Sequence, residues 1–335
     1  MVLPSPEFTI YSIAYGSSLA LLCLGLTLTY MTAKVPNFAH GTLAILGSAI
    51  TLILIDRVYY QFKGEPLYYS IYIVAPLVAF LIVGLTALIQ YLLILKPLAK
   101  RGVGVIGLMI ATLAFDVILV NMLTMALYLA PSAYFGKLIG QSLKGFDAGI
   151  SILGVVTTFS RIVMPFVAVA LAITLHLFLT RTKFGIAMRA SIENPSLART
   201  LGIDVDKVYM VSWFLAGGLA GVSGSFLSFI IESVKPAAGS LVIVSIFAGS
   251  ILGGLGSIYG ALIGGFLVGF MEPMTTITLQ NTLTALLGKA VIITQYQRLF
   301  SLLVVIVVLL LAPQGLTGLN YRGIIGRARR VGGVG

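Results

Sequence analysis

RTKFGIAMRASIENPSLARTLGIDVDK, residues 181–207, gathers eight charged side chains, five basic and three acidic, in a chain with only 9% charged residues. A charge-free apolar run flanks it on each side, 162–180 before and 208–231 after. Each run is close to the roughly 20 residues that cross the hydrocarbon of a bilayer. The passage therefore reads as a loop between two membrane spans, and the side it occupies fixes the rest of the topology.

Further charge-free stretches at 8–33, 35–55, 66–95, 236–271 and 299–321 extend the pattern over 335 residues of mean hydropathy +1.08. Soluble domains carry about a quarter of their residues as charges. The expectation is an all-α, polytopic integral membrane protein with about eight spans, six to ten at the limits. It forms one transmembrane domain over 1–335, with 181–207 a cytoplasmic loop and 322–335 a basic cytoplasmic tail. The start, MVLPSPEFTIYS, lacks a basic region ahead of its apolar stretch and reads as a retained helix, not a secretory signal. Cys23 lies inside that helix as a small packing residue.

Charge sets the orientation. Lys34, Lys96–Arg101, Arg181–Lys207 and Arg322–Arg330 hold 13 of the 21 basic residues against three acidic ones. Basic loops face the cytoplasm, so a multi-pass chain of a prokaryotic cell membrane is expected, with its N-terminus outside and its C-terminus inside. Residues 102–130 cross outward and Lys137–Asp147 is external. Region 236–298 must then contain an even number of crossings, read as a broken or re-entrant hairpin around GSILGGLGSIYGALIGG, 249–265. The net charge of +11 is scattered between apolar spans, which argues against nucleic acid as a partner.

Glycines at four-residue steps in 249–265 make flat helix faces that let backbones approach closely. Gly253–Ser257 also reads as a helix break within the membrane, tolerated where protein or a water-filled cavity surrounds it. That reading places Gly254 and Gly256 beside a transport path. No glycine pattern here fits a dinucleotide loop, and no GxxxxGK[ST] occurs. The chain is expected to hold no cofactor and no metal. The two histidines, His40 and His176, and the lack of HExxH, GxSxG or paired cysteines do not describe an enzyme. Asp116 in ATLAFDVILVN is a lone carboxylate in an apolar run, costly unless paired or functional. A proton-coupled secondary transporter would use such a residue.

AMRASIENPSLARTLGIDVDKVYMVSWFLAGGLAGVSGSFLS, 187–228, resembles the signature region of branched-chain amino acid ABC transporter permeases. PNFAHGTLAILGSAI, 36–50, is similar to the Asn-Phe-Ala-His-Gly segment of the LivH-type subunit. SIFAGSILGGLGSIYGALIGGFLVGF, 245–270, and LAPQGLTG, 311–318, resemble that family's C-terminal half. The blocks follow in order over most of the chain. Asp116 stands where the family pattern has a neutral residue, and LAPQGL lacks the arginine that commonly precedes Pro-Gln-Gly.

The resemblance implies an importer for branched-chain or other amino acids, with urea or short amides as alternative cargo. ATP would be hydrolysed by separate cytoplasmic ATPase subunits. The other implied partners are a second permease subunit, identical or related, and an extracellular substrate-binding protein. Force from the ATPases must enter through a rigid cytoplasmic element. Asn194 suits a helix cap, Pro195 the first helical position and Gly202 the end. The passage 194–202 is therefore read as a coupling helix, with Arg189, Glu193, Asn194, Pro195, Arg199 and Gly202 as the ATPase-coupling residues. Asn37, His40, Gly41, Asp116, Gly254 and Gly256 are the candidates for the substrate path.

Overall fold

Ser5 accepts a hydrogen bond from the Phe8 N–H and Pro6 occupies the first turn, so the first helix starts cleanly. The computed structural model describes residues 5–56, 66–129, 147–152, 154–231, 235–312 and 315–318. Helix α1 is Pro6–Ala33 and α2 is His40–Leu54. Helix α3, Ile71–Gln90, runs on through a π turn at Tyr91–Leu95 into α4, Lys96–Lys100. Helix α5 is Val105–Leu129, α6 is Phe159–Arg181, α7 is Lys183–Glu193 and α8 is Pro195–Thr200. Helix α9 is Val205–Ile230, α10 is Ala238–Gly253, α11 is Ile258–Leu287 and α12 is Arg298–Leu311.

Seven helical stretches among the described residues are long and apolar enough to cross a membrane, and α2 and α10 are shorter apolar helices. The chain is a polytopic α-helical membrane protein. Among the described residues, the one addition to an all-α reading is an antiparallel hairpin, β1 Gly149–Ile152 against β2 Val155–Thr158, with Gly149 opposite Thr158. Gly154, at φ 80°, sits between the strands in the left-handed region that glycine adopts without penalty.

Helices α1 and α9 form the centre. About 89% of the α9 window is buried, against 11% of the stretch containing α12, so α12 presents most of its apolar surface outward, as a lipid-facing helix does. Small residues make the central contacts possible. The Ser223 hydroxyl donates to the Ser18 carbonyl at 2.9 Å and Gly25 lies against Ala216, so α9 runs antiparallel to α1. Gly16 meets Gly269 while Ala20 and Cys23 meet Gly265, so α11 does the same.

These pairings collect five segments on one face: the end of α1 at Lys34, α4, the passage 181–207, the α10–α11 turn and the end of α12. Lys96 Nζ lies 2.9 Å from Asp206 at the start of α9. The Thr317 hydroxyl, beyond α12, donates to the Gly253 carbonyl at 3.1 Å. Glu7, Asp147, Arg161 and the α9–α10 connection lie at the opposite ends of the same helices. Residues 137–146, expected on that face, and the tail 322–335 lie outside the described residues.

The apolar stretch 236–271 divides at 254–257 into the antiparallel pair α10–α11, the even number of crossings that parity requires. The turn lies near one end of the bundle. Gly249 and Gly265 flank Cys23, so at 1.5 Å per residue the turn sits about 10 Å further on, within about one helical turn of the end of α1.

The glycines that matter also differ from expectation. Gly256 is exposed and a Cβ there would touch nothing. Gly264 packs on the Gly249 carbonyl and the Gly253 backbone, where a Cβ would lie 2.9 Å from the Gly253 Cα. Gly256→Leu should leave yield and melting temperature unchanged, whereas Gly264→Leu should lower stability by about 1–3 kcal/mol or abolish folding. Equal behaviour of the two variants in detergent melting assays would refute this close-packing account.

Candidate functional site

The charged passage folds into two helices where the sequence suggested one. Thr182 caps α7 by accepting from the Gly185 N–H at 2.9 Å. Asn194 ends α7 and begins α8, its Oδ1 accepting from the Leu197 N–H at 3.0 Å. Pro195 takes the first position of α8, where its missing N–H costs nothing. Gly202 closes α8 at φ 80°: its N–H donates to the Arg199 carbonyl at 3.0 Å and the Ile203 N–H to the Ala198 carbonyl at 3.0 Å. This is the left-handed helix stop that glycine permits.

Ala198 is buried on the inner side of α8, while Arg189, Glu193, Asn194, Arg199 and Gly202 are exposed. Asp204 caps α9 through the Lys207 N–H at 3.1 Å. That backbone donor and the Lys207 side chain hold the Asp204 carboxyl below the usual carboxylate range. Asp206 faces Lys96 at 2.9 Å and Arg199 at 3.9 Å, tying α8, α9 and α4 together.

Two residues went unnoticed in the sequence. Leu197 and Leu201 stand 55% and 72% exposed on this charged face. Their four-residue spacing in SLARTLGI was the available signal, since it puts both on one side of a helix. A short capped helix presenting two leucines between cations is a rigid apolar knob suited to a groove on a partner.

The substrate-path candidates separate into two places. Asn37 is fully buried in the non-helical link between α1 and α2 and exchanges hydrogen bonds with the Gln90 amide at 2.9 and 3.2 Å. Its Oδ1 also accepts from the Ala39 N–H at 3.1 Å. The Phe38 N–H donates to Thr112 at 3.3 Å. Backbone outside a helix is tolerated at this depth because these side chains satisfy it, so Asn37 acts as a brace.

The His40 ring lies against Gly25, and Gly41 packs on the Gly239 backbone, close contacts that favour packing roles. Asp116 is half-buried on α5, with the Thr42 side chain facing it. Gly254 and Gly256 stand apart from this group at the α10–α11 turn.

A second polar assembly, absent from the sequence reading, lies toward the opposite face. Glu272 on α11 is completely buried and pairs with Arg298 at 2.5 Å. The Arg298 Nη1 also donates to the Tyr15 and Ser245 hydroxyls, and Ser301 donates to Glu272 Oε2 at 2.8 Å. Arg161, 94% buried in the first turn of α6, bridges to Glu7 at 3.2 Å.

Residues 8–309 match the family model described as branched-chain amino acid transport system / permease component. A probable branched-chain amino acid transport permease protein LivH of Methanocaldococcus jannaschii is 43% identical over 93% of this chain and 92% of its own length. The high-affinity branched-chain amino acid transport system permease protein LivH of Escherichia coli K12 is 26% identical over 91% and 93%. The corresponding protein BraD of Pseudomonas aeruginosa is 28% identical over 90% and 92%. No solved structure matches the chain.

Proposed function

Because the chain belongs to the branched-chain amino acid transport permease family, we propose that it is the membrane-spanning permease of an ATP-driven importer whose cargo is a branched-chain or closely related amino acid. The relatives' names favour amino acids over urea or short amides, and a permease protein named as one part of a transport system supports separate ATPase subunits over proton coupling through Asp116. The observation that carries the reading is the capped α7–α8 unit, which holds Leu197 and Leu201 outward among cations and is locked to α4 and α9 through Asp206. A rigid knob of this kind can transmit a partner's motion into α9, the most buried of the seven candidate spans.

In this reading the ATPases dock on the face bearing Lys34, Lys96–Arg101 and 181–207. That face is cytoplasmic by its basic excess. A second permease subunit completes the path, and an extracellular receptor delivers the amino acid to the Glu7–Arg161 face. Reconstitution with candidate ATPases and receptor tests the whole: ATP-dependent accumulation of labelled leucine supports it, and uptake driven by a pH gradient without ATP overturns it.

Orientation has its own test. Cysteines placed at Arg199 and at Lys235 should react with an impermeant maleimide from inside and outside respectively. Labelling of Arg199→Cys from outside intact cells would invert the topology.

A further inference from the structure

A cavity of about 600 Å³ opens on the face opposite the coupling helices, between the starts of α1, α6, α10 and α12 and the end of α9 at Ile231. Its polar lining is Glu7, Arg161 and Arg298, with Gln295 and Gln297 beside them; Ile231, Leu241 and Val242 supply an apolar wall. Both guanidiniums sit over tyrosine rings, Arg161 5.4 Å from the Tyr11 centroid and Arg298 5.8 Å from that of Tyr15. The two rings stack on each other at 6.2 Å. The aromatic ladder holds two cations of one cavity in fixed orientations.

Among the described residues neither guanidinium is saturated. Every hydrogen bond that Arg298 makes among the described residues leaves from Nη1. Arg161 uses Nη1 on Glu7, and its buried Nε has no hydrogen-bond partner among the described residues. Arginine presents five donors in a planar fork that matches a carboxylate. The buried Arg161 Nε, without a partner among the described residues, is costly to leave unmatched unless a ligand or a water fills the role.

The charges also balance. Among the described residues Arg161 pairs with Glu7 and Arg298 with Glu272, so a ligand without net charge leaves both pairs balanced.

We propose that this cavity is a binding site for a zwitterionic aliphatic α-amino acid within the permease itself. The carboxylate meets Arg161 and Arg298, the ammonium meets Glu7, and the side chain lies on Leu241 and Val242. The proposal rests on the amino-acid transport reading and adds a site at which this chain selects its cargo after the receptor releases it. The volume lies within the range of small-ligand pockets, with room for a leucine and a few waters.

Labelled L-leucine binding to the full chain in lipid nanodiscs tests the site. Saturable binding is expected, displaced by isoleucine and valine but not by leucinamide, which lacks the carboxylate, nor by glutamate. Arg161→Gln should weaken it at least about tenfold, or ~1.4 kcal/mol, with the melting temperature unchanged. Leu241→Trp, at an exposed position, should block it by bulk and serves if Arg161→Gln folds poorly.

No saturable binding at millimolar leucine, or equal binding by the wild type and a well-folded variant, overturns the site. Loss of receptor docking with leucine binding intact would also overturn it, since the cavity would then be a protein contact. ATP-driven uptake by the assembled wild-type system separates the two readings. Uptake without binding to the isolated chain removes the cavity site and leaves the transport function, whereas binding without uptake does the reverse.

Discussion

Replacing Leu197 and Leu201 together by glutamate should abolish co-purification of the ATPases while leaving the permease folded. Both side chains are more than half exposed, so neither contributes much to the stability of the free chain. A docked interface reverses that balance. Burying two leucines in a partner groove contributes about 1.5–3 kcal/mol each at full burial, and two carboxylates placed there would have to be desolvated without partners. The combined effect exceeds about a hundredfold in affinity.

Single changes on the same unit should be milder. Glu193→Lys reverses an exposed charge one residue before the α8 cap, where a carboxylate is favoured, but also at the end of α7, where a cation is, so its net effect on the helices should be small. Gly202→Trp forces a side chain onto a backbone at φ 80°, which strains the turn that presents Leu201. ATPase co-purification and substrate-stimulated hydrolysis in nanodiscs are the measurements, with amino acid binding to the receptor as the control. Full assembly of the Leu197→Glu/Leu201→Glu variant would reduce the passage to an orientation signal.

That passage was legible in the sequence because its information is local. Asn194, Pro195 and Gly202 sit at fixed offsets along one short helix, and each hydrogen bond they make stays within a few residues. Apolar length likewise exposed the spans, and the basic excess picked out loops that the fold collects on one face, properties that need no knowledge of packing.

The glycines show where local reading stops. A four-residue spacing predicts a flat face but not which steps touch, and the contact partners of Gly264 and Gly269 lie on α10 and α1. Asn37 was a candidate for the substrate path, and its partner Gln90, 53 residues away, cannot be found from its neighbours. The Tyr15–Arg298 bond spans 283 residues, and nothing near either residue announces it. Arg161 stands just before the charge-free run 162–180, yet Phe159 begins a helix and carries it into the bundle.

The Glu272–Arg298 pair should therefore behave as a buried couple whose halves cannot be removed singly. Glu272 has no exposed surface, and its two oxygens are taken by Arg298 and Ser301. Removing one member of such a pair leaves an uncompensated charge and costs about 3–5 kcal/mol, whereas replacing both with apolar groups of similar volume is often neutral or stabilising. Glu272→Gln should be the more damaging single change, because the stranded guanidinium cannot shed its proton. Arg298→Met should be milder, since a stranded carboxylate can be neutralised by taking one up. The double variant Arg298→Met/Glu272→Leu should recover most of the loss, leaving the Tyr15, Ser245 and Ser301 hydroxyls to share the vacated space. Melting temperature and yield in nanodiscs for the four chains form a double-mutant cycle. A coupling energy near zero would mean that the two groups contribute independently, and the ion pair would then have no part in fixing α12 against α11 and α1. A large coupling with the double variant stable but unable to bind leucine would separate the two roles of Arg298, a structural one through Nη1 and a ligand-facing one through the rest of its fork.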